Sequence, residues 1–459
     1  MTTSGDAIQP TTILDRLIDV TGRDAWQVRR KDSGGELVDD DAGETFRELA
    51  ELVLSDVSVI HGAEEWLNSA NCLSGNHLGL QVGQLDDALG CMSTVLAWLK
   101  GGKCSGFVVG YFSGVAMQRE QIPEDMLRDL DETIATRPLL VLDTTIHADV
   151  SDRGFERIMN ITARGGEDEA LHVGLLAFGR WAKFLTSDQK RSLLETLDDL
   201  NNAGNRHALK VAFDLLVGWT RVSKKQSDPF DPLLRPNAVR LLLAAETPGK
   251  VVDDYDWKTV AEQVMVFSPA DIAPILVGAL LNSDHYNRER YAEELVRKLA
   301  SSFPIEVMAA LGPTVLDDEK GFIFHIRVFR GLFEAIGQEE VQRWIDANGE
   351  LAARRVARHL IGPHLSEEGE PIIPPLTDWV LTTFDDNKEV FSEFCMGRHS
   401  GEVRVGHARD RHASVMQQIA PFVHHEKKWV RDWAKYERDS FEHEVKWDDQ
   451  IEDEHKRTF

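Results

Sequence analysis

The stretch TSDQKRSLLETLDDL, Thr186–Leu200, holds a helix start and a helix face side by side. Thr186 and Gln189 have the spacing of a capping box, in which each side chain satisfies a backbone N–H of the other end of the first turn. Leu193, Leu194, Leu197 and Leu200 then fall at i, i+1, i+4 and i+7, one apolar stripe on a polar helix. The same grammar recurs in both directions. Pro123-Glu124-Asp125, Pro138 and Ser268-Pro269-Ala270-Asp271 are helix starts, and Phe303-Pro304-Ile305-Glu306 is a weaker one. Successive pair starts lie roughly 30 to 45 residues apart, the length of a two-helix repeat unit. An all-α chain is expected, with helix pairs stacked as an α-solenoid; the alternative is one or two irregular globular helical domains.

Upstream the pattern is less regular. Thr12–Ile18 starts a helix with Ile13, Leu14, Leu17 and Ile18 on one face, and Phe46–Leu54 is the next. Between them Lys31–Glu44, with Asp39, Asp40 and Asp41 in a row, reads as an exposed acidic loop. Residues 67–110 are rich in Gly, Ser and Asn around a single helix at Leu85–Leu99, and read as irregular packing or a long functional loop. The expected organisation is an irregular helical region over 1–120, HEAT-like repeats over 121–405, and a terminal repeat with its cap over 406–459. Within the repeats, the helix bearing Phe322, Ile323, Phe324, Ile326, Phe329, Leu332 and Phe333 should be buried on two sides.

A length of 459 residues exceeds a single compact core. The 42% apolar share excludes global disorder. With 51 Lys and Arg against 77 Asp and Glu, the net charge of −26 repels nucleic acid at long range, although a local basic patch is compatible with it. Four scattered cysteines do not make a disulfide framework. The polar start Met1–Pro10 lacks a signal-peptide pattern, and no apolar run reaches membrane-spanning length. A cytoplasmic protein without membrane contact is expected.

Catalytic signatures do not form. Gly101-Gly102-Lys103-Cys104-Ser105-Gly106 lacks the glycine spacing and the preceding strand of a phosphate loop. Leu139–Asp143 follows Pro138 and reads as a buried helix, not as a strand ending in a metal-binding acid. Asp256-Trp257-Lys258, near Asp253 and Asp254, has no strands to make it a nuclease site. Ser113 misses the nucleophile-elbow spacing, and His425-Glu426 has no second histidine one turn on. His325 reads as a core histidine, and Trp98, Trp181, Trp219, Trp429 and Trp433 read as core. No catalytic residue and no cofactor are assigned.

Cys395, His399, His407 and His412 offer zinc-compatible donors, but their spacing matches no common module and arginines crowd them, so no metal is expected. Those arginines are the partner-binding candidates: Arg354, Arg355 and Arg358 on one helix, then Arg398, Arg404, Arg409 and Arg411. Aligned on one face, they would form a basic stripe for an acidic or phosphate-bearing partner. Pairing with acids of the chain itself, such as Glu367, Glu368 and Glu370, is the competing reading.

Asp410–Val423 puts Val415, Met416, Ile419, Phe422 and Val423 on one face, His424-His425-Glu426 turns the chain, and Lys427-Lys428-Trp429-Val430-Arg431-Asp432-Trp433-Ala434 begins a second helix. This pair resembles a HEAT-type repeat, and Trp-rich terminal pairs are similar to those of large bacterial helical-repeat proteins of the defence type. The apolar stripe stops after Val445, as a terminal cap requires. The resemblance implies a non-enzymatic scaffold or sensor subunit that binds a protein partner, an ATPase, a nuclease or another effector, in an antiviral defence or signalling assembly. The alternatives are a nucleic-acid-binding repeat that uses the basic stripe 354–412, and an enzyme whose site lies in region 67–110 around Asn71, His77 and Ser105.

Overall fold

The computed structural model describes residues 12–24, 41–119, 121–223, 230–247, 252–282, 286–317, 326–399 and 408–458. Among them the chain forms 25 α-helices and one short antiparallel hairpin, so the fold is all-α. Its contacts divide it into two compact units, 1–256 and 257–459.

Unit 1 opens with α1 (Ile13–Thr21), α2 (Asp41–Ser55), α3 (Ser58–Gly62) and α4 (Glu64–Leu67). Next come α5 (Gly75–Leu85), α6 (Met92–Gly101), α7 (Ser105–Arg119), α8 (Glu124–Thr133) and α9 (Pro138–Ala148). It continues with α10 (Asp152–Thr162), α11 (Glu167–Val173), α12 (Gly179–Phe184), α13 (Ser187–Asn202), α14 (Ala208–Ser223) and α15 (Arg235–Ala245). The division falls inside α16 (Asp254–Met265).

The capping box at Thr186 and Gln189 is present, Pro138 occupies the first turn of α9, and α1 carries its own box between Thr12 and Asp15. Leu193, Leu194 and Leu197 are buried, as the stripe requires.

The Gly/Ser/Asn-rich region departs from its sequence reading. Residues 75–85 are helical rather than loop, and the expected helix Leu85–Leu99 is broken. Asp86 breaks it: its buried carboxylate accepts the N–H of Gly90 (2.7 Å), the N–H of Cys91 (2.9 Å) and the hydroxyl of Tyr111 (2.8 Å). Three donors on one carboxylate offset the lost helical bonds and hold a turn before α6.

α7 is buried from Phe107 to Ala116, with α5 laid directly on it. Gly75, Gly79 and Gly83 on α5, and Gly106, Gly110 and Gly114 on α7, share a four-residue spacing. At Gly79, Gly83, Gly110 and Gly114 the facing atoms are backbone of the opposite helix. Small residues at that period let two backbones meet. The expected acidic loop lies largely outside the described residues, and from Asp41 onward the chain is already α2.

Tryptophans tie successive elements of unit 1. The indole of Trp66 donates to Thr21 Oγ1 (2.8 Å), that of Trp98 to Glu64 (2.8 Å), that of Trp181 to Ile146 O (2.7 Å) and that of Trp219 to Leu176 O (3.0 Å). Trp98, Trp181 and Trp219 are core residues, as are Trp429 and Trp433 of unit 2.

An ion cluster joins α8, the end of α9 and α10. Buried Arg157 meets Asp131 and Asp149, each at 2.8 Å, and Arg153 bridges Asp131 (2.6 Å) and Glu124 (2.9 Å). Removing Asp149 leaves a guanidinium partly unpaired in the interior. Asp149→Ala should therefore cost about 3–5 kcal/mol, read as a lower urea midpoint. Burial pushes the Asp131 carboxyl up, but hydrogen bonds from Arg153 and Arg157 outweigh it and hold the group below the ordinary aspartate range. A depressed folded pKa contributes stability above the unfolded value of about 3.9 and loses it as the pH falls through the lower one. Stability should thus drop below about pH 4, less steeply in Asp131→Asn; equal slopes in urea titrations across that window would remove the effect.

Unit 2 continues from Trp257 with α17 (Pro269–Asn282), α18 (Tyr286–Ser302), α19 (Pro304–Leu316), α20 (Ile326–Ile336) and α21 (Gln338–Ala357). A hairpin follows, β1 (His364–Leu365) paired with β2 (Pro371–Ile372) in the register His364 to Ile372. The chain goes on through α22 (Pro375–Thr383), α23 (Lys388–His399), α24 (Ala408–Ile419) and α25 (Lys428–Thr458).

The contacts are serial. α17 touches α18 and α19, α18 touches α19 and α20, α19 touches α20 and α21, and α21 touches α22 and α23. Lys258 meets Glu294 at 2.8 Å, joining α16 to α18. α20 buries Phe329, Leu332, Phe333 and Ile336, while Phe322, Ile323, Phe324 and His325 lie outside the described residues. The charged end of the chain remains helical to Thr458. Among the described residues no helix is long and apolar enough to cross a membrane.

Candidate functional site

The arginines singled out by sequence are only partly described. α21 is kinked at Gly349, whose φ of +73° is a left-handed conformation that glycine adopts without strain, and Arg358 caps its end. Arg354 Nη1 lies 2.5 Å from Glu389 and Nη2 lies 3.9 Å from Glu393. Arg358 donates to Glu393 from Nε (2.8 Å) and Nη2 (2.6 Å), a two-point contact that fixes the guanidinium plane. Arg355 is half-buried beside them.

The acids that meet Arg354 and Arg358 are thus Glu389 and Glu393 of α23, the latter 35 residues beyond Arg358, and not Glu367, Glu368 or Glu370. Arg404 and the side chains of Arg398, Arg409 and Arg411 lie outside the described residues. Because Glu393 is buried, Arg358→Glu would set two carboxylates against each other and should cost about 2 kcal/mol. An unchanged melting temperature would show that the pair contributes nothing.

The other candidates are distributed over several elements. His77 stacks on Phe46 with ring centroids 5.6 Å apart, Asn71 is exposed before α5, and Ser105 opens α7. Ser113 donates to the Val109 carbonyl (2.8 Å). Asp256 and Lys258 sit on a helix, where Lys258 is held by Glu294. Cys395 is buried and His412 stacks on Phe441, while His407 and the side chain of His399 lie outside the described residues. Among the described residues, no group of three His, Cys, Asp or Glu side chains is placed to hold a metal.

A surface that sequence reasoning missed lies along α11 and the 3-10 turn Gly174–Ala177 that extends it. Ala170, Val173, Leu176 and Ala177 face inward and are buried. Leu171, Leu175 and Phe178, at i, i+4 and i+7, are 41%, 44% and 56% exposed. Isolated exposed leucines are ordinary, but three large exposed apolar side chains within eight residues, one on α11, one in the 3-10 turn and one on the extended residue that ends it, make a patch of the kind that marks contact surfaces. Phe184, 36% exposed and edge-on to Trp181 at 5.7 Å, lies one short helix further along. The signal was present in the sequence as a segment apolar on both faces, a pattern that also fits complete burial.

No family model matches the chain, and no curated protein or solved structure is significantly similar to it.

Proposed function

We propose that the chain is a HEAT-like helical-repeat scaffold, a non-enzymatic subunit that recognises a protein partner in an assembly of the bacterial defence or signalling type. The observation that carries the reading is the exposed patch Leu171, Leu175 and Phe178, backed by a fully packed inner face. Aromatic and aliphatic anchors are the usual energetic centres of protein contacts. The serial helix contacts of unit 2 support the repeat architecture, since in such arrays each unit packs only on its neighbours. The HEAT-like terminal pair supports the defence assignment by resemblance alone.

Cross-linking with mass spectrometry in the native cell should map a protein partner onto residues 167–184. The double variant Leu175→Ser, Phe178→Ser should abolish the cross-links while leaving the melting temperature nearly unchanged, because both side chains already face water. Binding should survive high salt, which screens charges and not apolar contact. Retention of nucleic acid alone, released steeply by salt, would overturn the proposal in favour of the nucleic-acid reading.

A further inference from the structure

Unit 2 contains a cavity of about 600 Å³ between the end of α22, the start of α23 and the start of α25. Leu381, Phe384, Phe391 and Trp429 form its apolar wall. Such a volume with an aromatic wall and a few polar groups is typical of a small-molecule site.

The rim carries both signs of charge. Lys427 is held by Asp378 at 2.5 Å. The exposed Lys388 and Lys428, and the exposed Asp385 and Asp432, make no ion pair or hydrogen bond with the described residues. The first turn of α25 has no acid, although it is the positive end of a 31-residue helix. Its Arg431 is engaged elsewhere, donating to the carbonyls of His425 and Glu426 at 2.7 Å each. Lysine at a helix start is electrostatically unfavourable, and an anion placed there relieves it.

A simple anion would satisfy the lysines and the helix end but leave Asp385 and Asp432 repelling it. A simple amine would have the opposite fault. We propose that this cavity binds a small zwitterion with a large apolar side chain, of the class of a free aromatic amino acid. Its carboxylate meets Lys388, Lys428 and the α25 amide groups, its ammonium meets Asp385 and Asp432, and its ring packs on Phe384, Phe391 and Trp429. An ammonium beside these rings gains a further electrostatic attraction to their faces. The site lies in a different unit from the apolar patch, so it stands or falls independently of the protein-partner reading.

The test is calorimetric titration of the full chain with three probes: L-phenylalanine, 3-phenylpropionate, which lacks the ammonium, and phenethylamine, which lacks the carboxylate. L-Phenylalanine should bind at least about tenfold tighter than either truncated probe. Lys428→Glu should weaken L-phenylalanine and 3-phenylpropionate without weakening phenethylamine, and Asp432→Lys should weaken L-phenylalanine and phenethylamine without weakening 3-phenylpropionate. Phe391→Ala, at a half-buried position, should weaken all three, with circular dichroism confirming that each variant is folded. Equal binding of the three probes, affinities untouched by the variants, or no heat with L-phenylalanine up to about 10 mM would each overturn the proposal.

Discussion

Gly110→Leu is expected to prevent unit 1 from folding, and Gly110→Ala to destabilise it by about 3 kcal/mol. A Cβ at Gly110 would fall inside van der Waals contact of the Asn76 carbonyl and 2.8 Å from Leu80 N. At Gly114 it would stand 2.7 Å from Gln84 N, and at Gly83 3.0 Å from Val115 N. These obstacles are backbone atoms of the opposite helix, so no rotamer change relieves them, and α5 and α7 must move apart. Separation would open the contact around α7, which is buried from Phe107 to Ala116. With total stability of about 5–15 kcal/mol for a domain, a leucine there is not tolerated.

Gly101→Ala is the control. It lies at the end of α6, and its Cβ would meet only the flexible Lys103 side chain, at 3.8 Å. That variant should be neutral or slightly stabilised, since alanine favours helix over glycine by about 1 kcal/mol. Urea titrations followed by circular dichroism would check both. Similar midpoints for Gly110→Ala and Gly101→Ala would mean that the two backbones do not touch.

Trp433→Ala should cost about 3–5 kcal/mol and damage one end of unit 2. Trp433 is 2% exposed and packs edge-on to Phe422, with centroids 5.5 Å apart. It anchors α25 to the turn after α24, and the stack of His412 on Phe441 continues that contact along the helix. Because contacts in unit 2 run from each helix to its near successors, the loss should remain local. Hydrogen exchange should show α24 and α25 unprotected while α17 to α19 keep their protection. Uniform loss across unit 2 would indicate one cooperative core instead of a series of stacked pairs.

Much of the helix inventory was legible in the sequence, and the reason is range. The capping box of Thr186 and Gln189, Pro138 in a first turn and the leucine stripe of α13 each act within a few residues, so sequence neighbours contain the whole cause. The burial of Trp98, Trp181, Trp219, Trp429 and Trp433 followed from their places on such stripes. Region 67–110 was misread because glycine there signals loop in isolation. Its meaning as a contact face appears only when a second helix with matching four-residue spacing lies against it. The break at Asp86 was hidden for a similar reason, since one of its three donors, Tyr111, comes from another helix.

The candidate sites were less legible still. Arg354, Arg355 and Arg358 lie together at the end of α21, but a charge pattern says nothing of what pairs with it. Glu389 and Glu393 reach Arg354 and Arg358 only because α21 packs on α23. In the segment Ala170–Phe178 both faces are apolar, so composition cannot choose which one meets water. Sequence by itself determined that the chain is helical and where many helices begin, because backbone hydrogen bonding and side-chain period are local. Tertiary structure alone decided which glycines touch, which arginines are neutralised and which leucines are exposed, because burial and pairing depend on groups brought from elsewhere in the chain.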